Sequence, residues 1–158
     1  MSVCPTDLWK TPRRRTVSWH DLDMTAESRA FVFAPSPLLT VTIEAASDGG
    51  TELHVHAGGQ GFWIARMAVS LGLKVTLCGV FGGETGAILH DIVKGEGIDV
   101  RAIETSGENG SYVHDRRGGE REHLADVTPA VLTRHEVDDL FGVSLTEVIG
   151  TGAPTRMT

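Results

Sequence analysis

A chain of 158 residues, 41% of them hydrophobic, is long enough to bury one core, so a single domain is the expectation. Its formal charge of −7 argues against a general nucleic-acid binder, and no apolar run reaches the length that spans a membrane. The two cysteines, Cys4 and Cys78, stand far apart in unrelated contexts, which reads as reduced thiols in a cytoplasmic protein.

Residues 1–29 carry Pro5, Pro12, Arg13-Arg14-Arg15 and scattered acids without periodicity, and a flexible extension is expected there. The arginine run lacks the apolar stretch that an export signal needs behind it. Phe31-Val32-Phe33-Ala34 reads as a buried first strand, ended by Pro35-Ser36-Pro37. Leu39 to Ala45 alternates as a half-buried strand, Ser47-Asp48-Gly49-Gly50 is a hairpin turn, and Thr51 to Ala57 returns antiparallel.

The glycine-rich stretch Ala57-Gly58-Gly59-Gln60-Gly61 then ends that strand and opens a helix. Glycines let the backbone turn sharply and let a ligand reach main-chain N–H groups without meeting a Cβ. The helix start behind the turn offers unpaired donors and the positive end of a dipole, which suits a hydroxyl-rich or phosphorylated ligand. Ile64, Ala65, Ala68, Val69 and Leu71 recur at helical spacing, and Gly72 stops the run.

Val75 to Val80 reads as a buried strand. After the turn Gly82-Gly83-Glu84-Thr85-Gly86, a helix places Ala87, Ile88, Ile92 and Val93 on one face and closes at Gly95 and Gly97. Val100 to Ile103 is the next strand, and this order predicts an α/β fold, an incomplete Rossmann-like parallel sheet with flanking helices. Ser111 to Asp115 and Arg121 to Leu124 form a second hairpin. Thr133-Arg134-His135-Glu136 is a capping box for a helix through about Phe141, and Ser144 to Ile149 reads as one more strand.

Among side chains that carry chemistry, His54 and His56 share one strand face, yet no third metal ligand accompanies them. His90, His114, His123 and His135 suggest nothing jointly. Asp115-Arg116-Arg117 with Glu120-Arg121-Glu122 reads as a salt-bridged, solvated hairpin, a phosphate role for Arg116 or Arg117 being secondary. Cys78 reads as a small core residue.

Gly58-Gly59-Gln60-Gly61 through Ala65-Arg66 to Leu71-Gly72 resembles the first signature of the ribokinase/PfkB family of carbohydrate kinases. Val75 to Gly86, a helix and then Glu96-Gly97-Ile98-Asp99-Val100 resemble the family's next βαβ segment, and the resemblance runs from about Phe31 to Ile149. It is strongest with the hexose-phosphate kinase branch. The resemblance implies a partial ribokinase-type domain over residues 30–158, with a small β lid from hairpins at about 39–57 and 111–124. It further implies ATP and Mg²⁺ as cofactors, a homodimer formed through the lid, and a sugar or sugar phosphate held at Gly58, Gly59, Gln60 and Trp63.

The departures from the family pattern are specific. Leu38 stands where the family holds an Asp for sugar hydroxyls, Gln60 replaces a Lys, and Trp63 replaces an Asn. Glu108-Asn109-Gly110-Ser111 offers no Arg where the hexose-phosphate branch clamps the substrate phosphate. The family's catalytic Asp lies in a Gly-Ala-Gly-Asp turn of a carboxyl-terminal half, and no such turn occurs in this sequence. No catalytic residue or ATP site is therefore expected in the chain. Two functions stay open: the sugar-binding part of an ATP-dependent sugar or sugar-phosphate kinase, and a non-catalytic ligand-binding or dimerisation module. Trp63 is expected to pack between helix and lid, the alternative being a floor for a ligand ring.

Overall fold

The structure, a computed structural model, describes residues 28–152. The extension expected at 1–29 lies outside these residues as far as position 27, and Arg29 already belongs to the first strand. In chain order the elements are β1 (Arg29–Ala34), β2 (Leu38–Ala45), β3 (Thr51–Gly58), α1 (Gln60–Ser70) and β4 (Lys74–Gly82). They continue as α2 (Gly83–Gly95), β5 (Asp99–Thr105), β6 (Gly110–Asp115), β7 (Glu122–Val127) and α3 (Arg134–Gly152).

The near-continuous apolar run of β4 makes it the centre of a parallel sheet ordered β1-β4-β5. Val75 and Leu77 face α1 and α2, where Phe62, Ala65, Leu89 and Val93 complete the main core. Cys78 and Val80 face the opposite way, against Leu140 of α3. A strand buried on both faces needs this kind of sequence, since neither side meets water. The two hairpins merge into one mixed four-stranded lid ordered β3-β2-β6-β7, in which β2 and β6 pair in parallel. A bulge between Val113 and His114 breaks the β6–β7 register.

Several sequence expectations need correction. β1 is the outer strand of the described parallel sheet, and Phe33 is 52% exposed, so this strand is only half buried. The inner face of α1 is Phe62, Ala65, Ala68 and Val69, while Ile64 and Leu71 point to solvent. Starting the helix at Gln60 sets that phase. α2 begins at Gly83 and buries Gly86, Leu89 and Val93 in place of Ile88, because Gly86 lets the helix lie close to the Phe81 backbone.

The largest difference lies at the carboxyl end. The strand expected over Ser144–Ile149 is helix, and α3 runs unbroken to Gly152. The hydroxyls that favoured a strand turn inward along the helix: Ser144 donates to the Leu140 carbonyl (2.7 Å) and Thr146 to that of Gly142 (2.8 Å). The capping box forms as expected, with the Thr133 N–H donating to Glu136 Oε2 (2.7 Å) and the Glu136 N–H to Thr133 Oγ1 (3.3 Å). α3 also carries a second apolar stripe, Val137, Phe141, Leu145 and Val148, which faces solvent. Among the described residues no helix is long and apolar enough to cross a membrane.

Candidate functional site

The glycine-rich turn lies at the carboxyl end of β1, the end of an open α/β sheet where ligands bind. Each glycine has a local cause. Gly59 adopts φ +94°, a left-handed conformation that side chains resist, with a carbonyl oxygen of Ser36 close by. A Cβ on Gly61 would stand 2.6 Å from the Ala34 Cβ, so only glycine lets α1 start against the end of β1. A Cβ on Gly58 would meet Leu38 Cδ1 and Thr40 Oγ1, both at 2.8 Å.

Of the four candidate binding residues, Gly58 is buried, Gly59 is half-buried, and Gln60 and Trp63 are exposed. Phe62, not Trp63, is the aromatic that fills the core from this turn, at 1% exposure against 47%. The Trp63 ring instead stands edge-on to Phe62 (5.6 Å) and to His56 of the lid (6.5 Å), with the Arg66 guanidinium 5.5 Å from its centre. Trp63 therefore bridges helix and lid and leaves about half its surface open beside the turn. Leu38, where the resemblance implies an Asp, lies 3.9 Å from where a Cβ on Gly59 would be, an apolar neighbour of the turn.

One face of the lid continues outward from Trp63. Pairing places His56 opposite Thr40, His54 opposite Thr42 and His114 beside Thr42, with His123 opposite His114. Four histidines from three strands thus share a face, a grouping that the sequence spacing did not reveal because it depends on strand order and register. Tyr112 stacks on His114 (6.0 Å), and His123 sits 5.7 Å from His114. Thr42, Glu44, His54, His56, Arg116 and Arg121 line an open cleft of about 450 Å³. Burial, then the charge of Arg66, hold His56 below the usual imidazole range; burial, then Arg121, do the same for His114.

The charged hairpin is only partly paired. Arg117 is bonded through Nε and Nη2 to Asp115, which its hydrogen bonds hold at a pKa of about 2. Arg116 reaches Glu44 at 3.2 Å. Arg121 has no carboxylate partner among the described residues and bears on His56 and His114.

Sequence reasoning missed Asn109. It is 5% exposed and joins three elements: its Oδ1 accepts from the Gly82 N–H (2.8 Å), and its Nδ2 donates to the carbonyls of Val80 (3.0 Å) and Pro37 (3.1 Å). A lone Asn between Glu108 and Gly110 gives no periodic signal, and its role appears only once β4 and the β1–β2 turn lie side by side. Next to it, Glu108 accepts from the Thr85 hydroxyl (2.8 Å) and caps the start of α2, which lowers its pKa. The Gly-rich turn before α2 is thus filled by the chain's own carboxylate and does not fit a nucleotide triphosphate. Among the described residues no three His, Cys, Asp or Glu side chains converge as a metal site.

No family model and no curated protein sequence matches the chain. Solved structures do. Escherichia coli phosphofructokinase-2, crystallised with substrates and products, matches with a TM-score of 0.61 at 22% identity, over 74% of this chain and 40% of that enzyme. A Thermotoga maritima protein described as a possible 1-phosphofructokinase gives 0.59 at 17% identity, over 77% of this chain and 42% of the other. A candidate ribokinase from Agrobacterium tumefaciens gives 0.53 at 16%, over 80% and 51%. The chain has part of a ribokinase-like fold. It spans between two-fifths and half the length of these proteins, and the ribokinase-like part comprises the parallel sheet, its helices and the lid.

Proposed function

We propose that this chain is the substrate-binding part of a PfkB-type carbohydrate kinase, holding a sugar or sugar phosphate between the Gly58–Trp63 turn and the lid. The observation that carries this reading is the placement of that turn at the carboxyl end of β1, directly beneath the polar face of the lid. Phosphofructokinase-2 of the same fold has been crystallised with fructose 6-phosphate. In this chain Gly59 would supply backbone contacts, Gln60 an amide, and Trp63 an open ring face for a sugar. Phosphoryl transfer by these residues alone is not part of the proposal, since the Gly-Ala-Gly-Asp turn that carries the family's catalytic Asp does not occur in this sequence.

The test uses the full 158-residue chain with Trp9 and Trp19 changed to Phe, which leaves Trp63 as the single tryptophan. Titration with fructose, fructose 1-phosphate, fructose 6-phosphate and ribose should give a saturable change in its emission with at least one of them. ATP added to the same mixtures should yield no sugar-dependent ADP. A flat emission response to all four compounds refutes the reading.

A second reading, a module that pairs with its own copy, is favoured by the other face of the lid. There Leu53 (63% exposed), Val55 (44%) and Val127 (51%) lie uncovered on the two edge strands. The E. coli enzyme of this fold is known in a tetrameric inhibited form.

A further inference from the structure

The outer stripe of α3 and the edge of the parallel sheet form an apolar trough. Around the helix, at about 100° per residue, Leu140 points to β4, and Asp139, Val143 and Thr146 lie on the flank toward Arg101 and Ile103 of β5. Val137, Phe141 and Leu145 therefore lie on the opposite flank, the one that looks over β1. Phe33 of β1 pairs with Cys78, which packs on α3, so its ring is on the same side of the sheet. With Phe33 as floor and Phe141 as wall, both more than half exposed, the trough follows the edge of the sheet.

The trough also leads to the point where the chain enters the sheet. Leu132, just before α3, lines a cavity with Val80 and with Pro35 at the carboxyl end of β1. Glu147, near the other end of α3, holds Arg101, which is opposite Cys78 in the sheet. The helix thus runs toward the amino ends of the strands, where the Lys74 N–H donates to the Ser28 carbonyl (3.1 Å). Residues 1–27 join the described chain at that foot of the trough.

Their composition matches it. Residues 8–20 hold Trp9, Val17, Trp19 and four cations, Lys10, Arg13, Arg14 and Arg15, without a single acid. α3 carries Glu136, Asp138, Asp139 and Glu147 against one Arg134. Asp138 stands three residues before Phe141 and so beside it on the helix surface. Its contact with Arg134, at 3.6 Å, is a solvent-exposed pair of the kind that holds little. Reach is ample: the nine residues from Trp19 to Ser28 extend about 30 Å, while Val137 to Leu145 covers about 12 Å of helix. A two-fold pairing of the stripe with a second copy would instead set one acidic patch against another.

We propose that residues 8–20 of the same chain cover this trough, with the indoles of Trp9 and Trp19 on Phe33, Phe141 and Leu145 and the basic run beside Asp138. The proposal goes beyond the sugar-binding reading and does not depend on it.

The test uses the full 158-residue chain with Trp63→Phe, which keeps Trp9 and Trp19 as its tryptophans. Both should be shielded from acrylamide quenching relative to the same chain in urea, and the shielding should not change on dilution. Phe141→Glu should abolish the shielding with the far-ultraviolet circular dichroism unchanged, whereas Leu53→Glu on the lid should preserve it. Arg13→Ser, Arg14→Ser and Arg15→Ser combined should weaken it without altering any residue of the sheet or its helices. Quenching equal to that in urea, or shielding that neither set of changes lowers, overturns the proposal. Shielding that falls on dilution also overturns it and gives the trough to a second copy.

Discussion

Replacing Asn109 by Ala removes three hydrogen bonds at a point where the β1–β2 turn, β4 and the start of β6 converge. The Gly82 N–H and the Pro37 and Val80 carbonyls would each lose their side-chain partner in a buried setting. One such group left unsatisfied costs about 1–3 kcal/mol. A cavity of about 110 Å³ lined by Asn109, Val80 and Pro129 borders the site and can admit water to some of them, which favours the lower part of that range. The expected loss is therefore about 3–4 kcal/mol in total, or about 10 °C in Tm for a chain of this size. Urea unfolding followed by circular dichroism should show a lower midpoint with an unchanged m-value. Asn109→Asp makes the argument sharper. It keeps the acceptor for Gly82 but turns a carboxylate oxygen toward two carbonyls, so the folded state raises the Asp pKa. Stability is then present below the unfolded pKa and lost as pH rises through the folded value, making the variant weaker at pH 7 than at pH 4 relative to wild type. A loss under about 1 kcal/mol for Asn109→Ala, or a pH-independent Asn109→Asp, would refute the claim that this amide ties the three elements together.

Two further outcomes follow from packing. Gly61→Ala should lower stability by about 1–3 kcal/mol because its methyl meets Ala34, whereas Gly142→Ala, with open space around it in α3, should raise it by up to about 1 kcal/mol; equal signs in thermal unfolding would contradict this. Sedimentation should find the chain self-associated at tens of micromolar, an order-of-magnitude choice for weak pairs, and Leu53→Glu should shift it toward monomer. If only Phe141→Glu on the outer stripe of α3 does so, the lid is not the pairing surface.

The elements legible in the sequence were those specified by local patterns. Alternation gave β2 and β3, the Ser47–Gly50 turn gave the hairpin between them, and the continuous apolar run of β4 gave a parallel strand buried on both faces. Boundaries and faces were less legible where tertiary packing chose between patterns of similar strength. Ile64 and Ile88 are as apolar as their buried neighbours, and only the start points of α1 and α2 decide which residues turn inward. Ser144 to Ile149 is rich in β-branched residues and reads as a strand, but its hydroxyls can bond to the helix's own carbonyls, and Leu140 and Val143 anchor it on β4 and β5. The histidine face was invisible for a different reason. It assembles residues up to sixty-nine positions apart (54 to 123), and the parallel joint between β2 and β6 that aligns them has no local signature.

The glycine signature and the chemistry of the site thus carry different information. Gly58 and Gly61 are small because Leu38, Thr40 and Ala34 press against them, and Gly59 is a glycine because of its φ. Those constraints hold whether or not anything binds, so a chain can keep the motif while its ligand changes or disappears. What a ligand would meet is set by the side chains around the motif: Leu38 close to Gly59, Trp63 half open to solvent and His56 beside it. An apolar wall and an aromatic ring disfavour a grip on many hydroxyls. If the turn holds a sugar as proposed, these residues favour its ring face over its hydroxyls.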